Sequence, residues 1–355
     1  MKNRIVLITG ITGQDGSYLT EFLLKKKYTI HGLKRRTSIK NSFRIDNIYN
    51  KIILHEGDIT DSIFITSLIN KVKPSEIYHL AAQSDVHFSF NNPEFTADVN
   101  AKGTLNILEA VRILKLQHKV KIYQASTSEL FGKVQQIPQS ENTPFYPRSP
   151  YGVSKLYSYW ICVNYREAHN MFVCNGILFN HESERRGENF VTRKITIGLS
   201  NLAFGFQKYI SLGNLNAKRD WGHAADYVEV MWKMLQQKKP KDYVISSDEH
   251  HSVREFVEIA AKKIGIEIKW KNKGINEIGI IKKCDFKKTP ALKLNDIIIK
   301  INKKYFRDSE VENLLGNSKK SRKELRWKPK HSFDDLVTKM IDNDYKIAKR
   351  KYLSK

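Results

Sequence analysis

Cysteine is scarce in this sequence, where only Cys162, Cys174 and Cys284 occur among 355 residues. They form no CxxC pair and lie at no zinc-ligand spacing from a histidine, which argues against a disulfide framework or a structural metal. No apolar run is long enough to cross a membrane. Residues 1–4 lead directly into an apolar strand rather than into a signal peptide. We therefore expect a cytoplasmic protein with reduced thiols, no metal and no membrane contact.

Acidic residues are in the minority, since 37 Asp and Glu face 61 Lys and Arg, a net charge of +24. Residues 262–355 alone carry 27 basic and 12 acidic side chains. The lysines there are scattered, and no basic helix with interleaved aromatic residues occurs. This distribution predicts a solvated, lysine-rich surface and no nucleic-acid partner. Part of the charge can help to attract a polyanionic substrate.

The N-terminal residues predict a dinucleotide-binding unit. Residues 4–9 are a continuous apolar run, typical of a strand that is buried on both faces. A GxxGxxG loop over residues 10–16 follows, and then residues 17–26 show helical apolar spacing. Strand, glycine loop and helix in this order favour a pyrophosphate that rests on the helix N-terminus.

The second and third strands indicate which dinucleotide binds. The strand over residues 28–34 ends in Arg35-Arg36-Thr37-Ser38, where an acidic residue would favour NAD. Two arginines with hydroxyl groups suit the 2′-phosphate of NADP instead, and a solvated basic turn is the alternative. After the third strand, Asp58 is placed to bind an adenine amino group or to cap a helix that begins near Thr60.

The segment from Gln124 to Lys155 is typical of an alcohol-oxidising site. A fifth strand over residues 121–125 delivers Thr127 and Glu129 to the edge where ligands bind in open parallel sheets. Tyr151 and Lys155 share one face of a helix. An adjacent ammonium lowers the pKa of a phenol, so Tyr151 can act as a general base. The alternative is a buried helix with a snorkelling lysine.

The remaining pattern completes the predicted fold. We expect a long helix over 93–114, a strand over 172–178, helices that begin within 219–227 and near Phe190, and a last helix over 333–349. Lys194 in the first turn of the Phe190 helix favours a nearby anion. The fold class is α/β, with a Rossmann-type doubly wound parallel sheet in residues 1–178. Residues 179–355 form a smaller α/β substrate domain that can exchange segments with the first.

Sequence blocks over nearly the whole chain resemble the GDP-mannose 4,6-dehydratase family of extended short-chain dehydrogenases/reductases. The matching blocks are ITGITGQDGSYLTEFLL, GLKRRTS, FTADVNAKGTLNILEA, YQASTSELFG, TPFYPRSPYGVSKLY, NGILFNHES, RRGENFVTRKI and LGNLNAKRDWGHAADYV. The resemblance implies a catalytic group made of Thr127, Glu129 and Tyr151, with Lys155 supporting Tyr151.

The resemblance also implies two sets of binding residues. Implied contacts to NADP are Gly10, Thr12, Gly13, Gln14, Asp15, Gly16, Arg35, Arg36, Thr37, Ser38, Asp58, Ile59, Leu80, Ala81, Ala82, Gln83, Ser84, Lys155, His181 and Arg186. Implied contacts to the GDP-sugar are Ser128, Asn180, Glu184, Lys194, Arg219, Arg307 and Glu310. The family further implies a homo-oligomer, either a dimer or a tetramer.

The reaction implied is an internal redox dehydration that yields a GDP-4-keto-6-deoxy sugar without net use of cofactor. Three departures from the family pattern concern its ligands. Phe95 replaces a tyrosine, Glu184 replaces a proline, and Asp308-Ser309 replaces Pro-Ala. GDP-D-glycero-D-manno-heptose is therefore an alternative substrate to GDP-mannose. A GDP-sugar epimerase or reductase and a non-catalytic nucleotide-binding protein are the other interpretations.

Overall fold

The computed structural model describes residues 4–38, 41–306 and 313–354. Two compact units form, the first from Met1–His181, Ala224–Asp248 and Leu314–Pro329, the second from the rest. Residues 224–248 and 314–329 return to the first unit, which is the kind of segment exchange that the sequence allows, and the first boundary lies after residue 181 rather than 178. Among the described residues, no helix is long and apolar enough to span a bilayer.

The strands in the described residues are β1 (Ile5–Thr9), β2 (Thr29–Lys34), β3 (Ile53–Glu56), β4 (Glu76–His79), β5 (Lys121–Thr127), β6 (Phe172–Leu178), β7 (Asn180–Glu182), β8 (Ile210–Leu212), β9 (Lys218–Arg219), β10 (Trp221–His223), β11 (Tyr243–Ile245), β12 (His251–Ser252), β13 (Ile266–Lys271), β14 (Ile278–Cys284) and β15 (Ile297–Ile301). The α-helices are α1 (Gln14–Lys25), α2 (Ser62–Val72), α3 (Val86–Asn91), α4 (Pro93–Ala97), α5 (Gly103–Ile113), α6 (Pro150–Ala168), α7 (Val191–Ala203), α8 (Ala224–Leu235), α9 (Val253–Lys263), α10 (Lys319–Leu325) and α11 (Phe333–Leu353).

The first unit is built on a seven-stranded sheet in the order β11-β6-β5-β4-β1-β2-β3, with neighbouring strands parallel. The strand order reverses beside β1, so the loops after β1 and β4 diverge at the edge where such sheets bind ligands. The predicted Rossmann-type fold is confirmed.

Both faces of this sheet are buried, as the apolar strand runs predict. On one face, Leu7 and Ile122 belong to a core with residues of α2, α5 and α6. On the other face, Ile8 and Tyr123 belong to a core with residues of α1 and α8. Alternate residues of one strand thus enter opposite layers, which makes the sheet doubly wound.

The second unit has a smaller, mixed sheet in the order β13-β14-β15-β8, in which only the β15–β8 pair is parallel. Its core draws side chains from α7, α9 and α11, and the rings of Trp221 and Phe333 stack at an interplanar angle of 7°. The unit is α/β, as predicted.

The structure confirms several predicted helices and refines their boundaries. The helix expected to begin within 219–227 does begin there, at Ala224, after residues that form β9 and β10. The helix expected over 93–114 contains a wide, π-type turn at Asp98–Lys102. The helix expected near Thr60 begins at Ser62, and Asp61 rather than Asp58 caps it by accepting from Phe64 N at 2.9 Å. The last helix continues to Leu353.

Candidate active site

The backbone of the glycine loop packs closely because its glycines carry no Cβ. Gly10 has φ +72°, and a Cβ there would lie 2.8 Å from Ala81 N. A Cβ on Gly16 would lie 2.4 Å from Gly10 O. Helix α1 begins directly after Gly13, and no side chain of its own caps its first N–H groups. A cradle of bare backbone at a helix N-terminus fits the pyrophosphate of a dinucleotide.

The loop after β4 is fixed against Gly10 by Thr9. Thr9 Oγ1 accepts from Leu80 N and Ala81 N, both at 3.2 Å, and lies 2.8 Å from His79 Nδ1. Because backbone N–H groups occupy both lone pairs of the hydroxyl, its proton points to His79 Nδ1, and the neutral ring then carries its own proton on Nε2. Burial and, to a smaller extent, the charge of Lys155 lower the pKa of His79 to about 3, so His79 is neutral.

Asn100, which sequence reasoning missed, joins the same loop to α6. Its Oδ1 accepts from Gln83 N at 2.9 Å, and its Nδ2 donates to Gln83 O and Ser154 Oγ, both at 3.0 Å. Its own carbonyl accepts from Ser158 Oγ at 2.9 Å. The sequence signal that could have revealed Asn100 is an asparagine inside an apolar helical pattern, because a buried amide needs hydrogen-bond partners.

The catalytic candidates on β5 lie at its carboxyl end. The strand ends at Thr127, and a short 3₁₀ turn over Ser128–Leu130 carries Glu129. Thr127 Oγ1 accepts from Glu129 N at 3.2 Å, which fixes the turn. The side chains of Thr127 and Glu129 are buried, and each residue is 8% exposed.

Helix α6 brings Tyr151 and Lys155 to this turn. Ser149 caps the helix by accepting from Gly152 N at 3.0 Å, and Pro150 is its first residue. A Cβ on Gly152 would lie 3.0 Å from Glu129 O, so the glycine permits the close approach of helix and turn. Within the first unit, the structure thus brings Thr127, Glu129, Tyr151 and Lys155 together.

The ammonium of Lys155 is deeply buried. The residue is 3% exposed, and Nζ donates to Ala125 O at 3.0 Å. Burial lowers the pKa of Lys155 to about 8, and Cys162 opposes this shift. A lysine with such a pKa is still largely protonated at neutral pH, so it can stabilise a phenolate at Tyr151.

His181 and Asp15 form an ion pair between the β6 exit and α1. His181 Nδ1 lies 2.8 Å from Phe179 O, which only accepts, and Nε2 lies 2.7 Å from Asp15 Oδ2. Both ring nitrogens thus face oxygen atoms, which fixes the orientation of the ring. Gln14 Nε2 donates to Asp15 Oδ1 at 3.1 Å and to His181 O at 3.0 Å. Cofactor contact by Asp15 and His181 stays a prediction.

The predicted 2′-phosphate residues lie at the end of β2. Arg35, Arg36, Thr37 and Ser38 are all exposed. Asp58 instead uses its Oδ1 locally, accepting from Thr60 N at 2.9 Å and from Thr60 Oγ1 at 2.8 Å.

Three further predicted or departing residues also lie in the first unit. Ser128 is buried on the turn that carries Glu129. Asn180 Oδ1 is buried without a hydrogen-bond partner among the described residues. Phe95 is exposed and packs edge-on against Phe88, with ring centroids 6.1 Å apart.

In the second unit, Glu184 occupies a tight turn. Arg186 N donates to Ser183 O at 3.0 Å, which makes Glu184 the second residue of a four-residue turn. Proline is favoured at that position, which also accepts most other residues, so the change to Glu184 is compatible with the turn. The Arg186 guanidinium pairs with Glu182 at 3.2 Å and lies 3.6 Å from the Phe190 ring centroid.

The basic residues of α7 have partners within the second unit. Lys194 Nζ lies 3.2 Å from the Tyr305 ring centroid, and Arg193 pairs with the buried Asp344. Arg219 is buried and donates to Lys218 O at 2.8 Å. The predicted Arg307 and Glu310, like the departures Asp308 and Ser309, lie outside the described residues.

The doubly wound sheet, the glycine cradle and the buried Tyr151-x-x-x-Lys155 pair define an extended short-chain dehydrogenase/reductase. Among solved structures, the chain is similar to the dTDP-glucose 4,6-dehydratase DesIV from Streptomyces venezuelae with NAD bound, at TM-score 0.78, 20% identity and 97% coverage of each chain. It is also similar to RMD from Pseudomonas aeruginosa complexed with NADPH, at TM-score 0.74 and 19% identity, over 97% of this chain and 100% of that one. At such identities the likeness concerns the fold alone.

Sequence relatives are more specific. A family model described as GDP-mannose 4,6 dehydratase matches residues 7–340. A GDP-mannose 4,6-dehydratase from Vibrio cholerae is 53% identical over 356 residues, which cover 98% of this chain and 96% of the relative. The chain belongs to the GDP-mannose 4,6-dehydratase family.

Proposed function

We propose that this chain converts GDP-mannose to its GDP-4-keto-6-deoxy product with a bound nicotinamide cofactor. The observation that carries the proposal is the buried group of Thr127, Glu129, Tyr151 and Lys155 beside the glycine cradle. The relatives are named for this reaction over the full chain length. They favour the hexose over the heptose.

The residues of the chain divide the proton transfers between them. Tyr151, stabilised as a phenolate by Lys155, accepts the proton of the C4 hydroxyl, and Thr127 orients that hydroxyl. The Gly10–Gly16 cradle and Lys155 would hold the cofactor, which would supply a reversible hydride acceptor for the hydrogen of C4 and its return at C6. Glu129 removes the C5 proton, which the C4 ketone acidifies, and assists the departure of the C6 hydroxyl as water.

The reaction can be tested directly with purified protein and GDP-mannose in the absence of added reductant. We expect a product lighter by one water, with a C4 ketone and a C6 methyl group in its NMR spectrum. A product of unchanged mass would favour an epimerase, and a requirement for stoichiometric NADPH would favour a reductase.

We further propose that the cofactor is NADP rather than NAD. The supporting feature is the exposed Arg35-Arg36 pair at the end of β2, where a guanidinium fork can bind a 2′-phosphate.

Arg36→Ala is expected to lower the preference for NADPH over NADH by at least about tenfold, since a hydrogen bond to a charged group contributes about 1.5–3 kcal/mol. The measurement is the ratio of the two Kd values by fluorescence. Lys25→Ala, which removes an exposed charge from the end of α1, is the matched control. An unchanged ratio in Arg36→Ala and in Arg35→Ala would contradict the NADP proposal.

We also propose that the protein is a homo-oligomer. Val153, Tyr157 and Trp160 form an apolar stripe on α6, and Phe88 and Phe95 lie on the adjacent α3 and α4. These five residues are between 41% and 55% exposed. A second copy, related by a two-fold axis, would cover the stripe with the same stripe.

Trp160→Glu is expected to lower the mass measured by light scattering to that of the monomer, because a charge in an apolar interface remains unpaired. Glu167→Gln, an exposed change on the same helix, should leave the mass of the oligomer unchanged. A monomeric wild-type protein would contradict the proposal.

A further inference from the structure

On the face of the first sheet that packs on α6, the side chains change from apolar to polar between two successive rows. Strands β1, β4, β5 and β6 are neighbours, and their register aligns two rows of side chains. The first row is apolar and consists of Leu7, Ile77, Ile122 and Val173. The second row, two residues nearer the carboxyl edge, is polar and consists of Thr9, His79, Gln124 and Asn175. All four polar residues are at most 2% exposed.

Only two of the four side chains in this polar row form a hydrogen bond with another member of the row. Thr9 and His79 bond to each other, as described above. Gln124 Oε1 and Asn175 Oδ1 are buried and accept no hydrogen bond from any described residue. Ser126 Oγ, on the same face of β5, is equally unpartnered. The amide nitrogens both donate, Gln124 Nε2 to Ala125 O at 3.4 Å and Asn175 Nδ2 to Tyr159 O at 3.3 Å. The amide atoms left without a hydrogen-bond partner are therefore the acceptor oxygens.

A donor is available on the adjacent helix. The Lys155 ammonium has three N–H groups, and its hydrogen bond to Ala125 O uses one of them. Ala125 lies between Gln124 and Ser126 on β5, so the ammonium reaches the strand beside two of the orphaned acceptors. His79 adds a second donor, its Nε2–H, on the strand paired with Gln124.

We propose that Gln124, Ser126 and Asn175 hold ordered water next to the Lys155 ammonium, and that this polar row is a positioning element that keeps Lys155 protonated beside Tyr151. Water suits the site because it can donate to the buried acceptors that the described residues leave without a partner. The role in catalysis rests on the proposed function, whereas the water site does not.

The titratable groups that face Lys155 fix the direction of the expected effects. His79 on β4 and Cys162 on α6 act on Lys155 directly. Tyr151 lies one turn earlier on α6, and Glu129 lies on the turn that α6 approaches at Gly152. Removing an acceptor near the ammonium disfavours its charged form and lowers its pKa. Adding a carboxylate at the same place favours the charged form and raises its pKa.

The experiment compares the pH dependence of kcat in the wild type and four variants. Activity that needs protonated Lys155 is lost as pH rises through its pKa, so Gln124→Met should move the alkaline limb down by about one pH unit. Gln124→Glu, of nearly the same shape, should move the limb upward. Ile122→Leu changes the apolar row two residues earlier on β5. It is the control for altered packing and should leave the alkaline limb at its wild-type pH. Asn175→Leu should repeat the downward shift and serves if Gln124→Met does not fold.

Crystallography supplies a second readout that needs no turnover. High-resolution maps of the wild type should show water bonded to Gln124 Oε1, and maps of Gln124→Met should not. Maps that show no water at this polar row, or alkaline limbs that lie at the same pH in all variants, would overturn the inference. A wild type that binds this water but does not dehydrate GDP-mannose would overturn the proposed function and leave the water site standing.

Discussion

Tyr151→Phe is expected to lower kcat for dehydration by about 10³-fold, since general bases typically contribute 10²–10⁴-fold. The change deletes one hydroxyl and preserves the other contacts of this residue. Tyr151 N still donates to Ser89 Oγ at 3.2 Å, and Tyr151 O still accepts from Ser154 Oγ at 2.8 Å. The loss should therefore concern proton transfer rather than folding, and the initial rate of 4-keto product formation measures it.

Tyr157→Phe is the matched control, because Tyr157 is on the same helix but is exposed. Its kcat should stay within about twofold of the wild type, as a surface hydroxyl takes no part in the reaction. If Tyr151→Phe retained more than a tenth of the wild-type rate, the C4 proton would have to pass to another group. Thermal unfolding of both variants should match the wild type.

The parts of the candidate site whose placement the sequence predicts are local in the chain. Gly10, Gly13 and Gly16 act within one loop, and the spacing of Tyr151 and Lys155 is a property of one helix. Each pattern depends on backbone geometry that neighbouring residues impose, so it can be recognised before the fold is known. The strand end at Thr127 is of the same kind.

The parts that the sequence does not predict depend on residues far apart in the chain. Asp15 and His181 lie 166 positions apart, and they meet because β1 and β6 are strands of one parallel sheet and end at the same edge. Residues 224–248 return to the first unit because β11 pairs with β6, with Val244 opposite Ile177. Asn100 lies in a wide turn whose bonds reach two other segments. No local pattern encodes such partners.

Burial links these distant contacts to the chemistry. Lys155 has a lowered pKa because α6 presses it against β5, and the closeness of α6 depends on Gly152 and on the Asn100 bond to Ser154. The charge that assists Tyr151 is thus a consequence of helix packing. A change in that packing should therefore alter the pH dependence of turnover as well as stability.

Glu129→Gln is expected to lower the yield of the 6-deoxy product by about 10³-fold, because an amide cannot accept the C5 proton. The substitution is nearly isosteric, and the hydrogen bond from residue 129 N to Thr127 Oγ1 does not involve the side chain. The measurements are the C6 methyl signal of the product and the exchange of the C5 proton with solvent deuterium. Glu167→Gln, exposed on α6, is the control and should behave as the wild type.

The two catalytic variants should fail at different points, which separates their roles. Tyr151→Phe blocks the first proton transfer, so the substrate should remain unoxidised at C4. Glu129→Gln retains Tyr151, Lys155 and Thr127, so a 4-keto sugar that keeps its C6 hydroxyl should form on the enzyme. Mass spectrometry of the quenched reaction distinguishes the two, since oxidation at C4 removes two hydrogens and dehydration removes water. Full turnover by Glu129→Gln would assign removal of the C5 proton to a different base. Oxidation at C4 by Tyr151→Phe would assign removal of the C4 hydroxyl proton to a different base.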